Sequence, residues 1–239
     1  MSICFIFVIF FKTNYSNLMA KSALLKSSIA KKVAMALSGI FLMLFLAQHF
    51  FINMTSVFSS NTFNSISHFM GNNPLVQFVI QPILIVGVIF HFIMGFVLEI
   101  QNRNARPIAY AKNNGAANSS WASRNMIYSG VVILAFLGLH SYDFWVPEMV
   151  YKYVEVNPLD ETRYFHELVA KFESPVRTAL YCLSFVLLSL HLRHGFSSSF
   201  QSVGQNNKYT KGMKGFGLWF SVIVPLGFVV IALFHHFNH

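Results

Sequence analysis

Histidines outnumber acids in this chain, ten imidazoles against eight carboxylates in 239 residues. Four of the ten, His49, His91, His140 and His191, fall inside long apolar stretches, where an ionisable side chain is costly and commonly marks a site. Ligation removes that cost, because a coordinating imidazole is neutral and its lone pair is taken up by the metal. Two imidazoles from facing helices suit the iron of a six-coordinate b-type haem, one on each side of the macrocycle. Small residues near a ligand leave the macrocycle room. Gly95 and Gly195 follow His91 and His191 by four positions, and Gly138 precedes His140 by two. A single histidine in a membrane helix is more often an interhelical hydrogen-bonder. One per stretch, repeated four times and matched in depth, points instead to haem.

The stretches that must position these residues are five, each long enough to cross a hydrocarbon core of about 20 helical residues. They run from Val33 to Met54, Leu75 to Leu98, Met126 to Trp145, Val176 to Phe196 and Phe216 to Phe237. Counted from Lys32, Asn73, Arg124 and Pro175, the four histidines lie 16 to 18 positions along their helices. That is about 24 to 27 Å at the α-helical rise. Successive helices run in opposite directions, so His49 and His140 pair near one face and His91 and His191 near the other. The expected offset between the pairs is roughly 10 to 15 Å along the membrane normal.

Composition agrees with a bilayer setting. Apolar residues make up 55% and charged residues 10%, against roughly 25% charged in a soluble domain, and mean hydropathy is +0.54. A water-soluble globule is excluded. The net charge of +9 reads as a topology signal and not as a nucleic-acid footprint, because positive residues stay on the cytoplasmic side. Lys12, Lys21, Lys26, Lys31 and Lys32 precede the first span; Arg103, Arg106, Lys112 and Arg124 link spans two and three; Arg193, Lys208, Lys211 and Lys214 cluster near the link between four and five. The opposite side holds only Lys152, Arg163, Lys171 and Arg177, together with most of the acids. The N-terminus is predicted inside and the C-terminus outside. Residues 1–32 form a basic lead-in, of which 1–18 read as an upstream extension ahead of Met19, and residues 33–239 form the membrane domain. The apolar run from Ile3 to Phe11 is too short to span. On the outer side, Asp143 to Ser174 is predicted to be a long link containing a short interfacial helix over Asp160 to Phe172. Cys4 and Cys182 are far apart and form no CxxC or CxxCH motif, which leaves disulfide, zinc and covalent-haem readings without support. Carboxylate-bridged metals lack an acid at the depth of the histidines.

From Lys31 onward the chain resembles a known family, the single-polypeptide five-helix di-haem cytochrome b anchor of succinate:quinone oxidoreductases and quinol:fumarate reductases. The residues that carry the resemblance are Ala36-Leu37-Ser38-Gly39 with His49 and Asn53, then His91 leading into Asn102-Arg103-Asn104-Ala105-Arg106-Pro107-Ile108-Ala109-Tyr110. They continue with His140-Ser141-Tyr142-Asp143-Phe144-Trp145, His191-Leu192-Arg193-His194-Gly195 and Phe200-Gln201. The resemblance implies an all-α bundle in a bacterial cytoplasmic membrane. Two haem b groups are implied, a proximal one on His91 and His191 and a distal one on His49 and His140. It also implies docking to an iron-sulfur subunit joined to a flavoprotein, contact with membrane lipid, and electron transfer to a quinone, expected to be menaquinone.

Around these ligands, Ser38, Arg103, Arg106, Tyr110, Arg193 and His194 are expected near haem propionates at the inner edge, although a topology signal accounts equally well for the arginines. His194 competes with His191 as ligand; the spacing to Gly195 and the depth favour His191. His68 and His166 read as solvated loop residues, and His235, His236 and His239 as a solvated tail. Some fumarate-reducing relatives carry a glutamate two residues before the span-four ligand, where this chain has Ser189, so a proton path of that kind is not expected. Two other readings compete with the anchor subunit: the di-haem cytochrome b of a hydrogenase or formate dehydrogenase, and a haem-free transporter or assembly factor that uses histidines as interhelical contacts.

Overall fold

The structure, a computed structural model, describes residues 27–104, 125–204 and 207–238, and among these it is helical with no strand. The elements are α1 (Ser28–Phe58), α2 (Ser60–Asn72), α3 (Val76–Asn104), α4 (Met126–Val154), α5 (Arg163–Phe172), α6 (Pro175–Ser202) and α7 (Thr210–Phe237). Lipid offers no partners to backbone amides, so apolar stretches of this length satisfy themselves as helices. Five of the seven, α1, α3, α4, α6 and α7, are long and apolar enough to cross a membrane, and they coincide with the five predicted spans. The chain is a multi-pass membrane protein. Each helix outruns its apolar stretch at one end or both, because polar flanks continue the hydrogen-bond ladder and caps then close it. Ser27 and Ser174 accept the Ala30 and Arg177 backbone N–H groups, and Pro175 starts α6 where its missing donor costs nothing.

Helices α1, α3, α4 and α6 form a ring in which α1 touches α3, α3 touches α4, α4 touches α6 and α6 touches α1; α7 backs α1 and α6. Large apolar side chains such as Leu44, Ile83, Val86, Leu134, Leu183 and Val222 face outward, an arrangement that only lipid makes favourable. The packed core lies between α1, α6 and α7, where Phe185 stacks on Phe228 at 5.2 Å between ring centroids and Phe50 meets Phe228 edge-on at 5.4 Å. Gly217 and Gly227 on α7 admit the rings of Phe196 and Phe50, and a Cβ at either position would overlap them. Small residues at such crossings let membrane helices approach closely. Helix α3, by contrast, has no buried residue, because it stands between the lipid and a central cavity.

One end of the bundle, reached where α1 and α6 finish and start, is capped by α2 and α5 and carries most of the acids. Helix α5 falls within the stretch expected to be a short helix, Asp160 to Phe172, and buries Leu168 and Phe172. Asp160 turns the chain into it by accepting the Thr162 N–H and hydroxyl at 2.7 Å each, and these bonds hold its carboxyl below the usual range. Glu148 lies between Lys152 and Arg163; Arg163 also reaches Glu167 at 2.7 Å and covers the rings of Tyr151 and Tyr164 at 4.1 and 4.3 Å. Burial, reinforced by Glu148, pushes the Tyr164 hydroxyl above its ordinary pKa. Side chains of Arg163 and Glu148 are only 9% and 16% exposed. Replacing Arg163 with leucine therefore leaves Glu148 short of a partner in a poorly hydrated site. Stability should fall by about 2 kcal/mol, read as a lower melting temperature of the detergent-solubilised protein.

Three expectations are corrected at this end. The predicted link beginning at Asp143 is helical to Val154, because α4 continues through π-helical turns at Ser141–Trp145 and Val150–Val154. The predicted solvated tail is packed. His235 is fully buried, donating from Nε2 to Ser56 Oγ at 2.9 Å while Ser56 donates to the Asn53 carbonyl, and His236 donates to the Phe172 carbonyl at 2.7 Å. Helix α7 runs to Phe237, which carries both histidines into the seam with α1 and α5. His239 lies outside the described residues, as do Cys4, Met19, Arg106 and Tyr110. His166 is exposed as expected, whereas His68 is partly buried, bonded to Asn72 and 3.7 Å from Glu161.

Candidate cofactor site

A cavity of about 930 Å³ runs inside the four-helix ring and is lined by all four intramembrane histidines. Its volume lies at the upper end of small-molecule and cofactor pockets. The structure brings the histidines together in the two predicted pairs. His49 of α1 faces His140 of α4 with ring centroids 5.7 Å apart and planes at 83°, towards the acidic end. His91 of α3 faces His191 of α6 at 6.5 Å and 67°, towards the basic end. Two imidazoles sharing one iron, with metal–nitrogen bonds of about 2 Å, have centroids about 6 Å apart. Both pairs sit near that separation.

The hydrogen bonds around the basic-end pair fix which ring nitrogen is free. Ser38 Oγ donates to the Met35 carbonyl at 2.8 Å and so accepts from His91 Nδ1 at 3.0 Å. Ser129 repeats the arrangement, donating to the Met126 carbonyl at 2.9 Å and accepting from His191 Nδ1 at 3.1 Å. Each ring thus carries its proton on Nδ1 and keeps the Nε2 lone pair available, the tautomer a metal ligand needs. At the acidic end the His140 Nδ1 is buried without a hydrogen-bond partner among the described residues. Asn53 donates to the His49 carbonyl at 2.9 Å and holds its amide 3.4 Å from the ring nitrogens. Phe45 and Phe136 stack on His49 and His140 at 5.6 and 5.9 Å.

Glycines line the same space. A Cβ at Gly39 would sit 3.5 Å from His91 Cε1, and one at Gly130 would sit 3.8 Å from His191 Cε1. Gly95 and Gly195 also line the cavity, as the sequence predicted, but Gly138 does not. Among the described residues no cluster of three His, Cys, Asp or Glu side chains forms. A planar group that brings its own four equatorial donors is the chemistry that two opposed imidazoles fit.

The other predicted site residues separate into several environments. Ser38, expected near a haem propionate, bonds His91. His194 lines the cavity, yet His191 and not His194 meets His91. Arg103 is exposed and paired with Glu99 at 2.6 Å, and Arg193 is exposed. Lys32, Glu99 and Asn102 line the basic end of the cavity.

Ser129, Gly130, Phe45 and Phe136 went unread in the sequence, although a signal for them exists. Ser38-Gly39, Phe45 and His49 recur as Ser129-Gly130, Phe136 and His140, each shifted by 91 positions. Helices α1 and α4 carry one module, Ser-Gly-x5-Phe-x3-His, whose serine serves the ligand pair at one end and whose histidine belongs to the other. Helices α3 and α6 share His-x3-Gly. Each helix pair of the ring, α1 with α3 and α4 with α6, thus carries the same two motifs in the same order. No known protein family, curated protein sequence or solved structure matches this chain.

Proposed function

We propose that this protein is the di-haem cytochrome b membrane anchor of a succinate:quinone oxidoreductase in a bacterial cytoplasmic membrane. In this reading it passes electrons between an iron-sulfur subunit on the inner side and a quinone. The observation that carries the reading is the pair of opposed histidine couples, each near the separation of two axial ligands, at opposite ends of one cavity. His91 and His191 would hold the proximal group and His49 and His140 the distal one, each bound haem supplying a one-electron iron centre. The protein's own part is to orient and insulate. Ser38 and Ser129 set the ring tautomer, Phe45 and Phe136 hold the distal rings, and the apolar ring of helices excludes water from the path. The acidic end of the cavity is lined by Gln48, Ser67 and Tyr164, which offer hydrogen bonds to quinone carbonyl oxygens. The lysine-rich end offers a docking face for the iron-sulfur subunit, which a flavoprotein would join.

A reduced-minus-oxidised spectrum with haem quantification on the purified protein tests the reading. Two protohaems per chain are expected, and none would sink it. Within the complex, succinate should reduce both haems only when flavin and iron-sulfur subunits co-purify; reduction by hydrogen or formate would move the protein to a different dehydrogenase. Replacing Ser129 with alanine removes the acceptor for His191 Nδ1, and loss of such a partner weakens metal binding by about 10- to 100-fold. The expected result is partial loss of the proximal haem during purification, measured against Ser129→Thr, which retains the hydroxyl.

A further inference from the structure

Three residues after His140, on the π-helical turn that follows it, Asp143 is buried with no exposed side-chain surface. Its Oδ1 pairs with Arg177, and its Oδ2 accepts the Tyr181 hydroxyl at 2.8 Å. Arg177 and Tyr181 lie four residues apart on α6, one turn of the same face. Tyr181 is 2% exposed, and its ring meets His140 edge-on at 6.2 Å, with Phe136 and Phe172 closing around it at 5.0 and 5.3 Å. A carboxylate and a guanidinium are thus held beside the acidic-end histidine pair, joined to it through one aromatic ring. The carboxylate is fully shielded from solvent, whereas the Arg177 side chain is 30% exposed.

We propose that Asp143, Arg177 and Tyr181 form a charge-compensated triad that sets the electrostatic potential at the His49–His140 site, with Arg177 offsetting the buried negative charge of Asp143. The proposal rests on the reading of those histidines as haem ligands. Removing one electron from a bis-imidazole iron adds a positive charge, so a bare carboxylate nearby favours the oxidised form and a bare guanidinium the reduced form. A charge roughly 10 Å away in a medium of intermediate dielectric changes such a balance by about tenfold or more. A structural role alone, the anchoring of α4 to α6, would not produce effects of opposite sign.

The experiment is a redox titration of the haem bands in the purified complex, with haem content measured separately. Arg177→Gln should lower the ratio of reduced to oxidised haem at fixed ambient potential about tenfold for one of the two haems. Asp143→Asn should raise it by a similar factor, and the double variant should return it near the wild-type value, with the other haem unmoved throughout. Shifts of the same sign in both single variants, or none in either, overturn the proposal. If a single variant loses a haem, Arg177→Lys and the neutral double variant carry the test: both should keep the wild-type potential, and a tenfold shift in either overturns it. A wild-type protein without haem overturns the underlying reading instead, and is visible before any titration begins.

Discussion

Replacing His91 or His191 with alanine is expected to remove one of two b-type haems, and replacing His49 or His140 to remove the other. The expectation is sharp because each pair is a separate unit. His91 and His191 share one end of the cavity and the serine-bonded arrangement, whereas His49 and His140 share the other end and the stacked phenylalanines. An imidazole left alone provides one axial position where two are needed. The four variants should therefore fall into two spectral classes, with haem content halved in each and the remaining band the same within a class. His194→Ala should retain both haems, since His194 does not meet His91. A class made of His91 and His49, or loss on changing His194, would require a different pairing. Protein yield and melting temperature distinguish loss of a ligand from loss of the fold.

The pairing was legible in the sequence because a helix in lipid has a fixed rise, and the residues flanking the spans, Lys32, Asn73, Arg124 and Pro175, give origins from which to count. The five spans were legible for the same reason. What the sequence reading missed depends on partners from other helices. Ser38 is expected near a haem propionate from its place at the inner edge, and its bond to His91 of α3 is a contact that its own helix does not reveal. Asp143 is expected where span three gives way to the outer link, yet α4 runs past it to Val154 and the residue is buried against Arg177 and Tyr181 from α6. His235, expected in a solvated tail, is buried by Ser56 and Phe165 from two other elements. Polar residues at the ends of spans carry little periodic signal, and their burial is set by which helices cross there. The 91-residue repeat was available in the letters alone and would have named Ser129 and Gly130 as counterparts of Ser38 and Gly39.

Gly130 offers the clearest test that the cavity, and not only the histidines, is shaped for a planar group. Its Cβ position has His191 Cε1 at 3.8 Å and no closer neighbour, so a side chain there extends into the cavity without displacing backbone. Gly130→Leu should fold, keep both His91 and His191, and lose the haem of the basic end, because the added side chain occupies the space beside the ligand ring. Gly39→Leu should act on the same haem, with an added cost from Ser199 Oγ at 3.1 Å from its Cβ position. Gly138→Leu is the contrasting variant. The sequence reading gave Gly138 the same role, but in the structure a Cβ there meets nothing within 4 Å and the residue does not line the cavity. It should retain both haems at wild-type occupancy. Haem quantification on the three variants, alongside their melting temperatures, decides the matter. Full occupancy in Gly130→Leu would place the cofactor elsewhere. Equal loss in Gly138→Leu would show that crowding the helix, and not filling the cavity, is what expels it.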